Sequence, residues 1–224
     1  MEANEAKTWD LHWKHLRSGR SVFGKLCSIH RILFRARAVR KYLDKTFPDA
    51  GLFVEAGSGS SQTSVLIPKR RREIIAVDIS AEALKEAKKI PVLDRFVRAD
   101  IRKLPFTRNS IDGIWNLGVM EHFHPKDIDT ILKEFLRVLK PGGMVVLFWP
   151  SRIASDKVLL TAIETVHNLL SSRRLQFFPD EVSRLRSKQQ GIEILARNGF
   201  EQTRVYFPLL DLFTEYVVVA RKPY

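Results

Sequence analysis

The spacing of apolar residues divides the chain into an N-terminal helical part and a longer part in which strands and helices alternate. Over residues 20–46, apolar side chains recur every three or four positions, which predicts an amphipathic helix with a basic opposite face. Pro48 and Gly51 end this helix. Beyond them, short apolar runs alternate with helical patterns, as is typical of a parallel sheet with crossover helices. We therefore expect a helical extension over residues 1–50 and an α/β domain over residues 51–224.

Seven strands are expected in the α/β domain. In chain order they cover residues 52–56, 73–77, 92–97, 111–117, 144–149, 200–207 and 215–221. A crossover helix is expected after the first strand, and further helices after Ser80, over residues 127–139 and near residues 191–198. The last two strands are joined by a short loop without a helix, so they should pair antiparallel. The predicted fold is a Rossmann-like three-layer α/β/α sandwich with a seven-stranded, mostly parallel sheet whose last strand is antiparallel.

Residues 151–190 interrupt this alternation. They are polar and basic, show no strand pattern, and come after the fifth strand at the edge where open α/β sheets bind their ligands. We predict that they form a helical cap over the site of an acceptor molecule. Arginines such as Arg173 and Arg174 would suit an acceptor that is phosphorylated, carboxylated or lipid-linked.

Composition and charge narrow the range of molecules that the chain could bind only slightly. The chain has 224 residues, 45% of them hydrophobic, which suits one globular domain with a modest extension. A formal net charge of +13 would attract nucleic acid, anionic lipid headgroups or phosphorylated metabolites without distinguishing among them. Scattered solvated charges explain the excess equally well. The basic helix over residues 20–46 leaves peripheral contact with a membrane surface open.

The N-terminal sequence and the cysteine count bear on location and metals. The first ten residues, MEANEAKTWD, lack a basic start followed by an apolar core, so they do not resemble a secretory signal. Cys27 is the only cysteine, which excludes an intrachain disulfide and a cysteine-based zinc cluster. We expect a cytoplasmic chain, with a location at a membrane surface as the alternative, and no metal site.

The glycine-rich turn after the first predicted strand is the first candidate for binding chemistry. Gly57 and Gly59 alternate with small residues, which lets the backbone approach a ligand closely, although such a turn alone is equally compatible with a structural role. A dinucleotide site prefers a third glycine where Gln62 stands. Glu55, just before the turn, would repel a pyrophosphate and favour an ammonium group. A Walker phosphate loop is excluded because no G-K-[ST] comes after the glycines.

Five segments stand in order over about residues 50–150: EAGSGSS from Glu55, VDIS, ADIRKLPF, IDGIWNLGVMEH and LKPGG. Their sequences and spacing resemble the motifs of class I S-adenosylmethionine-dependent methyltransferases of the type 11 kind, a branch acting mostly on small molecules and lipids. EAGSGSS is similar to the first of these motifs, E/D-x-G-x-G-x-G, with Ser61 in place of the last glycine. A second departure is Trp115, in a strand position usually filled by a smaller residue.

The resemblance implies a division of roles around S-adenosylmethionine as cofactor and S-adenosylhomocysteine as product. The residues that would bind the cofactor are Glu55, Gly57, Ser58 and Gly59 for the methionine part, Asp78 for the ribose, Asp100 and Ile101 for the adenine, and Asn116, Leu117 and Gly118 beside the sulfonium. Ile79 and Glu121 are also expected to contact the cofactor, and Glu121 could instead face an acceptor or cap a loop. His122 is the catalytic candidate facing an acceptor, and packing beneath a loop is its alternative role. An aromatic stretch with Trp9 and Trp13 would form a lid, or a helix simply packed on the sheet.

Four functions are compatible with these features to different degrees. The preferred one is methyl transfer to a small or lipid-linked, anionic acceptor. A nucleic-acid methyltransferase is encouraged by the positive charge, but residues 116–119 are NLGV instead of N/D-P-P-Y/F, and no RNA-binding module is recognised. A catalytically silent binding protein would have no chemical need for three acids at Glu55, Asp78 and Asp100. A dinucleotide oxidoreductase comes last, because the third glycine is missing and Glu55 would repel a pyrophosphate.

Overall fold

The computed structural model describes residues 2–18, 34–152, 181–207 and 215–224. Within these ranges one sheet contains seven strands: β1 (Ala50–Ala56), β2 (Arg71–Asp78), β3 (Arg95–Arg98), β4 (Ile111–Leu117), β5 (Leu139–Pro150), β6 (Glu201–Tyr206) and β7 (Glu215–Arg221). Their order across the sheet is β3-β2-β1-β4-β5-β7-β6. β1 to β5 run parallel, and β7 runs antiparallel to both of its neighbours, β5 and β6. The predicted antiparallel pairing of the last two strands is confirmed.

Helices cover both faces of this sheet. The described residues form α1 (Glu2–Ser18), α2 (Ala36–Thr46), α3 (Ala81–Ala87), α4 (Pro125–Val138) and α5 (Lys188–Arg197), with 3₁₀ turns at Gln62–Ser64 and Met120–His122. Apolar side chains of α4 and α5 pack on one face, and those of α2 and α3 pack on the other. The three-layer α/β/α sandwich is thus confirmed. None of the helices in the described ranges is long and apolar enough to cross a membrane.

Local sequence explains where several helices begin and end. The Ser80 hydroxyl accepts a hydrogen bond of 3.1 Å from the backbone N–H of Ala83, which is the N-cap that the sequence predicts for α3. Pro125 occupies the first turn of α4, where an N–H would have no helical partner. Gly199, with φ of +89°, comes after α5 in the left-handed conformation that favours glycine.

The connection between β1 and β2 differs from the crossover helix that the sequence pattern predicted. Only the 3₁₀ turn Gln62–Ser64 forms, because the segment is rich in serine and threonine, whose side chains compete for backbone hydrogen bonds. The third strand is also shorter than predicted. It begins at Arg95 because Asp94 turns back and accepts a hydrogen bond of 2.7 Å from the backbone N–H of Ile74.

Two predicted segments lie partly outside the described residues. Of the helix expected over residues 20–46, α2 is described, and its Val39 and Leu43 are buried in the domain core. Of the cap expected over residues 151–190, the part at 153–180, with Arg173 and Arg174, lies outside the described residues. The described segments that flank this part are in contact, because the backbone N–H of Arg152 donates to the carbonyl of Leu185 at 2.9 Å.

Candidate active site

A cavity of about 540 Å³ opens at the carboxyl ends of the parallel strands. Side chains from the ends of β1, β2 and β4, the loop after β3, the start of β7, and helix α1 line it. This is the edge at which open α/β sheets bind ligands, since the loops after neighbouring parallel strands meet there. The residues predicted to bind a cofactor lie at this edge.

Glu55, near the end of β1, is a buried acid at the floor of the cavity. Its Oε1 accepts a hydrogen bond of 2.8 Å from the Ser64 hydroxyl, which the 3₁₀ turn after β1 positions. Burial raises the pKa of Glu55 to about 7, and the bond from Ser64 opposes the rise. Its Oε2 is buried without a hydrogen-bond partner among the described residues. A ligand that donates hydrogen bonds, such as an ammonium group, would satisfy this oxygen.

The glycine turn wraps closely around neighbouring groups. Gly57 has φ of +71°, and a Cβ atom there would lie 2.8 Å from a methyl group of Val119. At Gly59, with φ of +52°, a Cβ atom would lie 2.7 Å from the ring of Trp13 in α1. Ser61 also adopts a left-handed conformation, with φ of +52°, at the position where the resembled motif has its last glycine. The backbone therefore keeps a conformation that suits glycine even though the residue differs.

Asp78, at the end of β2, ties the glycine turn to the neighbouring strand. Its Oδ2 accepts a hydrogen bond of 2.7 Å from the N–H of Gly59, and its Oδ1 accepts one of 2.8 Å from the N–H of Ser80. Burial raises the pKa of Asp78 to about 6, and these two backbone donors oppose the rise. A carboxylate has about four acceptor sites, so Asp78 retains capacity for the hydroxyl groups of a ligand in the cavity.

Asp100, just after β3, is held by Arg102, a residue that the sequence motifs did not single out. Both oxygens of Asp100 accept hydrogen bonds from the Arg102 guanidinium, at 2.6 to 3.1 Å. The same guanidinium also donates to Glu5 of α1 and lies 3.7 Å from Asp127 of α4. The hydrogen bonds from Arg102 to Asp100 raise the pKa of the guanidinium. Arg102 thus joins the end of β3 to two helices.

Helix α1 forms one wall of the cavity. Besides Trp13 against Gly59, its Trp9 ring meets the His122 ring edge-on, with centroids 5.2 Å apart. Asp10 accepts a hydrogen bond of 2.6 Å from the Ser80 hydroxyl, which anchors α1 near the start of α3. Aromatic rings of α1, a helix that Asp10 anchors, therefore border this side of the cavity.

A group of three glutamates and two arginines, which we call the glutamate cluster, also lines the cavity. It consists of Glu121, Glu181, Glu215, Arg35 and Arg184. Arg35 lies 3.4 Å from Glu215, and Arg184 donates to Glu181. Burial raises the pKa of Glu121 to about 8, with the charges of Glu215 and Glu181 adding to the rise and that of Arg35 opposing it.

The cavity gathers nearly all of the predicted site residues. Those that line it are Glu55, Gly57, Ser58, Gly59, Asp78, Ile79, Asp100, Ile101, Leu117, Gly118, Glu121 and His122. Asn116 is the correction, since it is fully buried and does not line the cavity. Side chains alternate between the faces of β4, so Asn116 points away from the face shared by Trp115 and Leu117. Both polar atoms of its amide are buried without a hydrogen-bond partner among the described residues.

The residues that sequence reasoning missed are Arg102, Arg35, Glu181 and Glu215. Arg102 stands two residues after Asp100, a spacing that permits the observed pairing, so a local signal existed for it. Glu215 begins β7 opposite Pro150 of β5, and only the register of the finished sheet brings it to the cavity. Arg35 and Glu181 come from segments whose placement depends on tertiary packing.

Comparison with known proteins supports a specific family for this arrangement. A family described as "Methyltransferase domain" matches residues 54–147. The chain is 31% identical over 113 residues to a malonyl-[acyl-carrier protein] O-methyltransferase of Hamiltonella defensa, covering 50% of this chain and 43% of that protein. It is 34% identical over 130 residues to a demethylmenaquinone methyltransferase of Renibacterium salmoninarum, covering 54% and 52%. The chain thus spans about half, or less, of the length of the curated relatives it matches.

Solved structures share the fold. A Burkholderia thailandensis 1,6-didemethyltoxoflavin-N1-methyltransferase, crystallised with that substrate and S-adenosylhomocysteine, superposes with a TM-score of 0.62 at 17% identity, covering 99% of this chain and 90% of that one. A methyltransferase from Methanosarcina mazei gives a TM-score of 0.60 at 17% identity, covering 81% and 97%. The family match covers the strands that lead to Glu55, Asp78 and Asp100, so this part of the chain is similar to S-adenosylmethionine-dependent methyltransferases of the type 11 kind.

Proposed function

We propose that this chain transfers a methyl group from S-adenosylmethionine to a small-molecule or lipid-linked acceptor. The observation that carries the proposal is the convergence of Glu55, Asp78 and Asp100, from three adjacent strands, on one cavity beside a glycine turn. The ammonium group, ribose hydroxyls and adenine amino group of S-adenosylmethionine are all hydrogen-bond donors. Three acceptors in a row suit these three donors.

The geometry of each acid supports a separate assignment. The unpartnered Oε2 of Glu55 would accept from the ammonium group, and the remaining acceptor sites of Asp78 would take the ribose hydroxyls. Asp100, fixed in orientation by Arg102, would face the adenine amino group with Ile101 beside the ring. Gly57 and Gly59 have positive φ and no side chain, so Val119 and Trp13 pack closely against the turn that would bind the methionine part.

The contribution of the protein to the reaction is mainly positioning and exclusion of water. S-adenosylmethionine supplies an electrophilic methyl group on a sulfonium, and charge on sulfur is lost as the methyl leaves. The chain therefore needs to hold an acceptor in line with that methyl, an effect worth about 7–11 kcal/mol in well-oriented systems. Trp9 and Trp13 of α1, acting as a lid, would keep solvent from the reacting atoms.

The proposed acceptor class rests on the relatives and on charge. Relatives are named for malonyl-[acyl-carrier protein], demethylmenaquinone and trans-aconitate, which are small or carrier-linked molecules. An anionic group on the acceptor is part of the proposal, and arginines of residues 151–190 would bind it. Of the described arginines in that range, Arg184 lines the cavity and is engaged with Glu181. The arginines from Arg152 to Arg186 are therefore the residues to scan once an acceptor is known.

A radiolabel experiment tests the proposal. The protein is incubated with S-adenosylmethionine carrying a tritiated methyl group and with separate metabolite, lipid and RNA fractions. We expect label in the metabolite or lipid fraction, and its loss in Asp78→Asn. Asp129→Asn on α4, away from the cavity, is the matched control and should keep the activity. Label in RNA alone would contradict the acceptor class, and no transfer to any fraction would contradict the proposed activity.

A further inference from the structure

The glutamate cluster lies beside the region assigned to the cofactor but is built from other elements. Glu121 belongs to the 3₁₀ turn after β4, and Glu215 begins β7 opposite the last residue of β5. The side chains of Glu121, Glu181 and Glu215 are 5%, 6% and 2% exposed, and all three line the cavity. The cluster therefore borders the cavity next to the ends of β4 and β5, farther along the sheet than Glu55, Asp78 and Asp100.

The glutamate cluster contains more acidic side chains than arginines. Arg35 is paired with Glu215, and Arg184 with Glu181, so two of the three carboxylates have an arginine. Glu121 has none within ion-pair distance among the described residues. Its nearest cationic candidate is His122, whose Nε2 lies 3.9 Å from Oε1. When Glu121 is ionised, the cluster therefore has three carboxylates and two arginines among the described residues.

One oxygen of Glu121 points to a ligand. Oε2 is buried and has no hydrogen-bond partner among the described residues. Leaving a buried acceptor unpaired costs free energy, and a donor supplied by a molecule in the cavity would recover it. Two carboxylates of the cluster lie close enough to Glu121 to disfavour a further negative charge there. For the ionised form of Glu121, the missing partner is therefore a hydrogen-bond donor that is neutral or positive.

We propose that the acceptor presents an amine to this cluster, bound as an ammonium ion, and that Glu121 takes the proton that must leave before methylation. This inference rests on the proposed methyl transfer and deepens it by naming the nucleophile. A carboxylate nucleophile would meet the glutamates with like charge, whereas an ammonium ion would stabilise the ionised form of Glu121. An anionic group elsewhere on the acceptor remains compatible, because it would contact different residues.

The proton transfer can be written explicitly. An N–H bond of the ammonium ion breaks, the proton moves to a carboxylate oxygen of Glu121, and nitrogen keeps the electron pair. That pair then forms the new bond to the methyl carbon as the carbon–sulfur bond breaks, with its electrons going to sulfur. The product is a methylated ammonium ion, and the proton on Glu121 returns to solvent. A pKa of about 8, due to burial and to Glu215 and Glu181 against Arg35, suits Glu121 to this exchange near neutral pH.

Calorimetry with three probes of matched shape tests the inference on the protein saturated with S-adenosylhomocysteine. Benzylamine, benzyl alcohol and benzoate present a cation, a neutral hydroxyl and an anion on the same ring. We expect benzylamine to bind about tenfold or more tightly than the other two. At pH 7 its binding should release a proton from Glu121, measured as a difference in apparent enthalpy between phosphate and Tris buffers. Equal binding of the three probes, or a preference for benzyl alcohol or benzoate, would overturn the inference.

Two variants make the test specific to Glu121. Glu121→Gln should weaken benzylamine binding about tenfold or more and abolish the proton release, while leaving the affinity for S-adenosylhomocysteine unchanged. Glu73→Gln, an exposed glutamate that pairs with Arg95 away from the cavity, is the matched control and should change neither. Lower affinity of Glu121→Gln for S-adenosylhomocysteine would reassign Glu121 to the cofactor and overturn the inference. Should Glu121→Gln not fold, probe ranking and proton release in the unmodified protein still decide. If the unmodified protein does not bind S-adenosylhomocysteine, the proposed function itself is refuted.

Discussion

Glu55→Gln should stabilise the ligand-free protein at alkaline pH, although it removes a residue assigned to the cofactor. Burial raises the pKa of Glu55 from an ordinary 4.5 to about 7. The folded protein therefore holds this proton more tightly than the unfolded chain, and the stabilisation is complete below about pH 4.5. It is lost as pH rises through 7. At about 1.4 kcal/mol for each pH unit between the two values, the loss is about 3 kcal/mol.

The variant keeps the contacts of the side chain while removing the charge. A glutamine oxygen can still accept from the Ser64 hydroxyl, so the 3₁₀ turn keeps its support. We expect the free energy of unfolding of Glu55→Gln, relative to the unmodified protein, to rise by about 3 kcal/mol between pH 5 and pH 8.5. Urea unfolding followed by tryptophan fluorescence at several pH values measures it. The same variant should bind S-adenosylhomocysteine more weakly.

A second variant, Asp129→Asn, should show the opposite dependence of stability on pH. The amide of Asn198 holds the pKa of Asp129 below its ordinary range, and Arg197 contributes in the same direction. The stabilisation from Asp129 is therefore present above its ordinary pKa and lost on acidification. Relative to the unmodified protein, Asp129→Asn should become less stable as pH rises. For Glu55→Gln, a difference in free energy of unfolding from the unmodified protein that does not change with pH would refute the reasoning that burial sets the charge state of Glu55.

The contacts around the cavity and the charge pattern lead to three further predictions. Ser61→Gly should raise the free energy of unfolding by about 0.5–1 kcal/mol in urea titrations, because φ is positive at Ser61, whereas Ser61→Ala should give no gain. Arg102→Gln should release α1 from the end of β3, so that hydrogen exchange in residues 2–18 becomes faster and S-adenosylhomocysteine binds about tenfold more weakly. Unchanged hydrogen exchange in residues 2–18 would contradict the anchoring role of Arg102. If residues 20–46 contact membranes, the protein should float with vesicles containing phosphatidylserine and not with neutral vesicles, and equal flotation would exclude an electrostatic contact.

The side of the cavity proposed for the cofactor was more predictable from sequence than the side proposed for the acceptor, for a physical reason. Glu55, Asp78 and Asp100 each lie at or just after the end of an apolar strand, and the ends of adjacent parallel strands converge whatever lies between them. Glu181 and Glu215 reach the cavity only through the register of β7 and the packing of the chain after residue 180, so no local pattern indicates them.

The positions where the sequence pattern misled have local causes as well. Asn116 was assigned to the cavity through the resemblance, but the alternation of β4 turns its side chain to the other face. The crossover helix after β1 was expected from the general plan of the fold, and a short run of serine and threonine does not support one. β2 begins at Arg71, two residues before the strand predicted over residues 73–77, and Arg72 there is buried and donates at 2.8 Å to the carbonyl of Pro48.

Calorimetric titration of the protein with S-adenosylhomocysteine and, separately, with NAD tests most directly whether Glu55, Asp78 and Asp100 form an S-adenosylmethionine site. We expect binding of S-adenosylhomocysteine, weakened about tenfold or more in Asp78→Asn, and no binding of NAD. Both outcomes are expected of acids that suit hydrogen-bond donors and repel a pyrophosphate. Binding of NAD without S-adenosylhomocysteine, or affinity for S-adenosylhomocysteine that Asp78→Asn leaves unchanged, would contradict this assignment.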